Sequence, residues 1–222
     1  MRRLLMLSKL LWSACSMSAC SILAISSVSA VCAQTPETTL VAPPKAPPST
    51  VSVPTTQAFM DLFGKPIEPL LFQKRKATLF FFVVRDCPIS NYYAPEMRRL
   101  AAEYAPKGVA SFIVYVEPDI ATSNLRSHYR EFAFSCPALH DKDHFLVQRF
   151  KAKRTPETVV LGQDGSTLYQ GRIDDRYLDF GKSKHQPGRV DLRLALDSVL
   201  SGLPVRIPLT PVIGCPIPEM TK

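Results

Sequence analysis

The chain has 222 residues and a formal net charge of +8, with 46% hydrophobic and 21% charged residues. Arg2, Arg3 and Lys9 supply part of the basic excess; the rest of the chain is mixed in sign, without a Lys/Arg block or interleaved aromatics, which excludes a nucleic-acid-binding reading. No glycine-rich phosphate loop occurs.

Residues 1–33 read as a signal peptide. Arg2, Arg3 and Lys9 form a basic front, and Leu10 to Gln34 carries no charge. Val31-Cys32-Ala33 ends in a small residue before polar Gln34-Thr35-Pro36, so cleavage after Ala33 is expected. The uncharged run is long enough to span a bilayer, but serine dilutes it, and a cleaved signal fits better than an uncleaved anchor. A lipoprotein reading at Met17-Ser18-Ala19-Cys20 is poorer, because the residues after Cys20 stay apolar. The remainder is therefore expected to be exported to the periplasm, and membrane-bound only if the N-terminal segment is uncleaved. Residues 34–54 follow as a linker dense in Pro and Thr, extended and solvated.

Residues 55–202 have the size of one domain and can bury one core. Ala58 to Phe63 reads as a strand, turned by Gly64-Lys65-Pro66. Ala77 to Val84 is uncharged and rich in Leu, Phe and Val, as a buried central strand would be. Tyr92, Tyr93, Met97, Leu100, Ala101 and Tyr104 are mostly three or four apart, so a helix follows, with Pro88 in its first turn. Val109 to Val116 is a second buried strand, and Ala121 to Phe134 fits a helix. Cys136 to Leu139 reads as a short strand and Lys142 to Phe150 as a helix. Glu157 to Leu161 and Thr167 to Gln170 form a hairpin around Gln163-Asp164-Gly165-Ser166. Val190 to Leu200 is a helix stopped by Gly202. The order β-α-β-α-(β)-α-β-β-α is that of an α/β domain, with Leu79 to Val84 and Val109 to Val116 as parallel neighbours. Residues 203–222 form a proline-rich tail carrying Cys215.

Cys87 falls between the first buried strand and the first turn of the helix. Unpaired backbone N–H groups and the positive helix end favour a thiolate there, so a reactive, partly exposed thiol is expected. Asp86 opposes ionisation while Arg85 and the helix end favour it, and the net sign does not follow from the sequence.

These motifs carry a resemblance. The strand, the Cys-x-x-x stretch and a helix with Pro95 eight residues after Cys87 resemble the active-site segment of the thioredoxin superfamily. Thr155-Pro156, before Glu157 to Leu161, matches the superfamily's cis-proline. From about Gln57 to about Gly202 the chain is similar to the redoxin branch, which includes thioredoxin-like reductases and alkyl hydroperoxide reductase/thiol-specific antioxidant proteins. DCPISNYYAPE, RTPE, GRIDDRY and GCPI together resemble exported bacterial redoxin-domain proteins. The resemblance implies a thioredoxin-like three-layer α/β/α fold with a central mixed sheet. It also implies a thiol–disulfide oxidoreductase with a single active-site cysteine in Cys-Pro-Ile-Ser, because Ser90 stands where thioredoxins have their second cysteine. Thr155 backbone groups, held near Cys87 by a cis Pro156, would pair with an extended substrate. Ser90 would donate to the Cys87 thiolate or play no chemical part.

Of the six cysteines, Cys15, Cys20 and Cys32 belong to the targeting segment, leaving Cys87, Cys136 and Cys215. An odd count in an oxidising compartment implies one pair and a spare, or a catalytic thiol. No pair has metal-finger spacing, and neither a metal nor a cofactor is expected. Without a thiol at position 90, a mixed disulfide on Cys87 needs another thiol to resolve it. Cys136 reads as a buried core thiol. Cys215 stands 13 residues past Gly202, an extended reach of up to about 43 Å, and is the favoured resolving thiol. The alternating charges from Arg172 to Arg176 read as a solvated loop of weak ion pairs, with a polar rim of the site as the sharper alternative.

Three other functions stay open. Peroxiredoxin-type thiol peroxidases resemble this fold and carry Pro-x-x-x-Thr-x-x-Cys; Phe80 and Val84 stand at the proline and threonine positions, so the hydroxyl that positions the peroxide is missing. A copper-handling relative would need two sulfurs and an imidazole from the scattered His128, His140, His144 and His185. A non-catalytic redoxin scaffold would have an unreactive Cys87. The expected partners are a protein or small-molecule thiol or disulfide and an external electron donor.

Overall fold

The computed structural model describes residues 58–220. The expected signal 1–33 and linker 34–54 lie outside the described residues. The described chain opens on a short hairpin, β1 (Phe59–Met60) against β2 (Pro66–Ile67). The strand expected over 58–63 is cut short because the Asp61 carboxylate accepts the amides of Phe63 and Lys65, both at 2.8 Å, and bends the chain into a turn.

β3 (Ala77–Val83) is buried along its whole length, which is why its sequence is continuously apolar rather than alternating. It leads through Cys87 into α1 (Pro88–Tyr104), which carries Pro88 in its first turn and Pro95 inside. A 3₁₀ turn, Ala105–Lys107, then enters β4 (Val109–Tyr115). β3 and β4 are parallel neighbours, with Ala77 opposite Val109 and Val83 opposite Tyr115, as the sequence predicts. α2 (Thr122–Glu131), β5 (Ala138–His140) and α3 (Phe145–Phe150) follow. α3 begins later than expected because buried Asp141 accepts the amides of Leu146 (3.1 Å) and Val147 (2.9 Å) and sets the first turn there.

The second half contains β6 (Arg154–Thr155), β7 (Glu157–Leu161), β8 (Thr167–Gly171), β9 (Tyr177–Asp179), β10 (Lys182–Ser183), α4 (Asp191–Leu200) and β11 (Cys215–Pro216). The central sheet has the order β5-β4-β3-β7-β8. β5, β4 and β3 are parallel; β7 is antiparallel to β3, and β8 to β7, so the sheet is mixed.

Alternation along β3 divides the core into two. Leu79, Phe81 and Val83 pack with Met97, Leu100 and Tyr104 of α1 and with Leu192 and Leu196 of α4. Phe80 and Phe82 pack on the other side with Phe112 and with Leu146 and Phe150 of α3. The Phe80 ring lies 5.7 Å from Phe112 and 5.5 Å from Phe150, centroid to centroid. The result is the expected three-layer α/β/α arrangement.

Two stretches differ from the sequence reading. The charges from Arg172 to Arg176 are not a solvated loop. Ile173 and Asp174 are buried, and the Arg172 guanidinium sits 2.7 Å from the buried carboxylate of Asp191. Asp175 pairs with Lys184 and accepts the Arg189 amide at 2.9 Å. Opposite signs meet inside the fold, and they support a β9–β10 hairpin that the composition concealed. The tail is extended, as its prolines require, but it is also built into the sheet. Gln170 donates to the Pro208 carbonyl (2.8 Å), and its own carbonyl accepts from the Thr210 amide (3.1 Å). Buried Thr210 meets the Tyr169 hydroxyl at 2.8 Å and accepts the Arg172 amide at 3.1 Å. The crossing is possible only over Gly171, which has φ +147° and where a β-carbon would fall 2.1 Å from the Thr210 hydroxyl oxygen. Beyond it β11 pairs antiparallel with β6.

Candidate active site

Cys87 is the N-cap of α1, in extended backbone at the carboxyl end of β3. Its sulfur accepts the Ser90 amide at 3.4 Å, and its thiol donates to the Thr155 carbonyl at 3.3 Å. Among the described residues the Thr155–Pro156 bond is cis, as the resemblance to the thioredoxin superfamily implied. β6 carries Thr155 to the same end of the sheet, and β11 pairs with it so that Cys215 stands opposite Thr155 and Pro216 opposite Arg154. Cys87, Ser90, Thr155 and Cys215 therefore meet.

The expectation of a partly exposed Cys87 is corrected: its relative exposure is 0%. The tail accounts for the difference. Cys215 and Ile213 pack against the core that contains Cys87, and a chain long enough to return across the domain has done so.

The sign of the thiol shift now follows. Burial pushes the Cys87 thiol up, but hydrogen bonds from the Cys215 thiol, the Ser90 hydroxyl and amide, and the Thr155 hydroxyl outweigh it, and the pKa lies below its ordinary value. The Ser90 and Thr155 hydroxyls are buried and have no hydrogen-bond partner, which leaves both available to donate to a thiolate at Cys87. Asp86 is exposed and paired with Arg85, away from this set of donors. Burial and the neighbouring Cys87 raise the Cys215 thiol to about 12. Of the pair, Cys87 is the more readily ionised.

Cys136 is elsewhere. It precedes the N-terminal end of β5, whereas Cys87 follows the C-terminal end of β3, and the two strands run in the same direction through β4. The thiols thus lie at opposite ends of the sheet. Burial raises Cys136 to about 12.

Two supports of the site had no sequence signal strong enough to find them. The first is a buried chain across the entry to α1. Asn91 donates to the Arg85 carbonyl at 2.9 Å, which leaves its oxygen to accept from His128 Nε2 at 2.9 Å. His128 Nδ1 then accepts from the Tyr115 hydroxyl at 2.8 Å. Burial lowers the His128 pKa, and both ring nitrogens of the neutral imidazole are used. No three His, Cys, Asp or Glu side chains cluster as a metal site among the described residues. The second is an aromatic wall: Tyr177 of the β9–β10 hairpin packs edge-on to Tyr92 at 5.6 Å and against Tyr93 at 5.7 Å. The Tyr93 hydroxyl donates to buried Asp174, so the charge motif braces the first turn of α1. A further signal was readable: Gly214 before Cys215, since glycine marks a close backbone approach.

Residues 51–169 match the sequence model of the AhpC/TSA family. The fold is similar to that of an uncharacterized conserved protein from Geobacillus kaustophilus (26% identity, 74% of this chain and 89% of that chain, TM-score 0.66). It is also similar to a hypothetical protein from Sinorhizobium meliloti (22% identity, 75% and 92%, TM-score 0.63). A solution structure from Neisseria meningitidis, described as a candidate thioredoxin, matches at 23% identity (66% and 90%, TM-score 0.51). No curated protein matches the chain.

Proposed function

Because this chain belongs to the AhpC/TSA family and has a thioredoxin-like redoxin fold, we propose that it is an extracytoplasmic thiol–disulfide oxidoreductase in which Cys87 is the nucleophile and Cys215 the resolving thiol. The observation that carries the reading is the convergence on Thr155: its carbonyl accepts the Cys87 thiol at 3.3 Å, and Cys215 stands opposite it in the β6–β11 pair, packed against the core that holds Cys87. In the first step the Cys87 thiolate attacks a substrate disulfide. A bond forms between the Cys87 sulfur and one substrate sulfur, and the other leaves as a thiolate. Cys215 then gives up its proton to the departing substrate thiolate and attacks the Cys87 sulfur. The products are a reduced substrate and a Cys87–Cys215 disulfide. An external dithiol donor returns the pair to thiols, and the sequence runs backwards with an oxidised donor. Ser90 and Thr155 hold the Cys87 thiolate by donating to it. Export rests on the N-terminal sequence pattern.

The test is mild oxidation of wild type and Cys215→Ser, followed by digestion without reduction. Wild type is expected to yield a peptide linking Cys87 to Cys215, and Cys87→Ser to lose turnover of a small chromogenic disulfide. A dominant Cys87–Cys136 peptide, or a Cys87 that stays a free thiol, overturns the proposal. Rapid Cys87-dependent consumption of hydrogen peroxide with slow disulfide exchange would make the protein a peroxidase instead.

A further inference from the structure

The strand that brings Cys215 to Cys87 also closes the site. Cys87 is wholly buried, so an external disulfide reaches it only when something moves. β11 is the thinly held element. It pairs with β6 over two residues, and Pro216 has no amide to give. Around it, Ile217 donates to the Lys153 carbonyl at 3.0 Å, and the Arg154 guanidinium donates to the Gly214 carbonyl at 2.8 Å. The firmer attachment is upstream, where buried Thr210 is bonded to Gln170, Tyr169 and Arg172. The segment after Thr210 is the part of the tail that must lift for a substrate to reach Cys87.

Just before β11 the fit is selective. A β-carbon at position 214 would lie 2.0 Å from the Thr155 carbonyl oxygen and 2.7 Å from its carbon, both backbone atoms with nowhere to go. Arg154 grips the carbonyl of that same residue, and the next residue, Cys215, stands opposite Thr155 and packs against the core that holds Cys87. This is a template: a small residue at a bend, then a cysteine in extended backbone.

Resting on the reading of Cys87 as nucleophile, we propose that β11 is an internal stand-in for the substrate, and that the protein acts on polypeptides whose cysteine lies in an extended segment directly after a glycine. Such a segment replaces β11 along β6. Its cysteine takes the place of Cys215 opposite Thr155, and Arg154 holds the glycine carbonyl. Cys87 attacks that cysteine's sulfur as its disulfide breaks, and the leaving thiolate carries off the electron pair. β11 then returns and Cys215 displaces the substrate.

The test uses the full chain as wild type, Gly214→Val and Thr210→Val. Gly214→Val drives β11 off Thr155, and Thr210→Val loosens the anchor while leaving position 214 intact. Two peptides, Ile-Gly-Cys-Pro-Ile and Ile-Val-Cys-Pro-Ile, are supplied as mixed disulfides with thionitrobenzoate, whose release reports attack by Cys87. Both variants are expected to react faster than wild type. In all three proteins the glycine peptide is expected to outpace the valine peptide by about tenfold or more, the effect of forcing a side chain into backbone. Equal rates for the two peptides overturn the proposal, as does a wild type that reacts as fast as both variants. Wild type, through spontaneous opening, carries the peptide comparison even if a variant does not fold. A small aromatic disulfide separates the two readings. If Cys87 exchanges with it but does not discriminate the peptides, only the substrate assignment falls; if Cys87 exchanges with nothing, the oxidoreductase reading falls too.

Discussion

Cys215 stands directly opposite Thr155 in the β6–β11 pair, and Thr155 in turn accepts the Cys87 thiol through its carbonyl at 3.3 Å. One residue of the short strand β6 thus aligns both sulfurs. In the proposed mechanism the arrangement replaces the neighbouring thiol that Ser90 denies to the Cys-Pro-Ile-Ser motif. It does so with a residue from the far end of the chain, and the electrostatics of Cys87 depend on that residue being docked.

The first prediction concerns the thiolate. Burial alone would raise the Cys87 pKa, and the donors reverse it. Cys215→Ala, Ser90→Ala and Thr155→Val are each expected to raise the Cys87 pKa. The measurement is thiolate ultraviolet absorbance against pH. A titration curve unmoved by any of the three would show that the donors do not set the shift.

Stability should fall in alkali. Cys136 and Cys215 are raised from 9.0 to about 12 in the fold. Above pH 9 the unfolded chain releases these two protons while the folded chain holds them, so the contribution of both groups declines as pH rises towards 12. Cys87 has the opposite sign: its pKa is depressed, and its contribution is present above the unfolded thiol range and lost as pH falls through the folded value. Urea midpoints of wild type and Cys136→Ala across this range check the first claim, and the variant is expected to lose less stability between neutral pH and pH 11.

Cys136 should be chemically quiet. It is buried, raised to about 12 and at the far end of the sheet from Cys87. Alkylation of the folded, reduced protein is expected to label it last of the described cysteines. Cys136→Ala should keep disulfide turnover and cost about 1 kcal/mol of stability. Preferential labelling of Cys136 in the folded protein contradicts this.

The Thr210 anchor should govern access to Cys87. Thr210→Val leaves the Arg172 amide without its acceptor and the Tyr169 hydroxyl without its Thr210 partner, a loss of about 1–3 kcal/mol to tail docking. Cys87 alkylation is expected to accelerate accordingly, by about tenfold for each 1.4 kcal/mol. Gly171→Ala, which places a β-carbon against Thr210 at a positive φ, should act the same way. Alkylation rates equal to wild type in both variants would show that the tail does not gate the site.

The aromatic core should be unforgiving. Phe80 is fully buried between Phe112 and Phe150, and Phe80→Ala is expected to cost about 3–5 kcal/mol in urea unfolding. A loss under 1 kcal/mol would mean the second core collapses around the gap.

Much of the frame was legible in the residue order. β3 and β4 are uncharged runs of the right length, and a strand buried on both faces has no other way to be written. α1 was legible from its three-and-four spacing and Pro88, and these place Cys87 at a helix N-terminus. Helix and strand ends were less so. Asp61 and Asp141 shortened their elements by capturing nearby amides, and a side chain's choice between solvent and backbone is not written in hydropathy.

By itself the sequence determined the sheet, the position of Cys87 and the lack of a local partner at Ser90, because periodicity and helix-start chemistry act over a few neighbouring residues. Only the tertiary structure decided that Cys87 is buried, that its pKa goes down and that Cys215 lies beside it. It also decided that the charges around Asp174 and Asp175 brace a hairpin. The reason is the same in each case. These outcomes rest on contacts between distant segments made largely through backbone groups. A two-residue strand such as β11 pairs by its peptide groups and by the absence of a β-carbon at Gly214, and neither leaves a periodic trace in the chain.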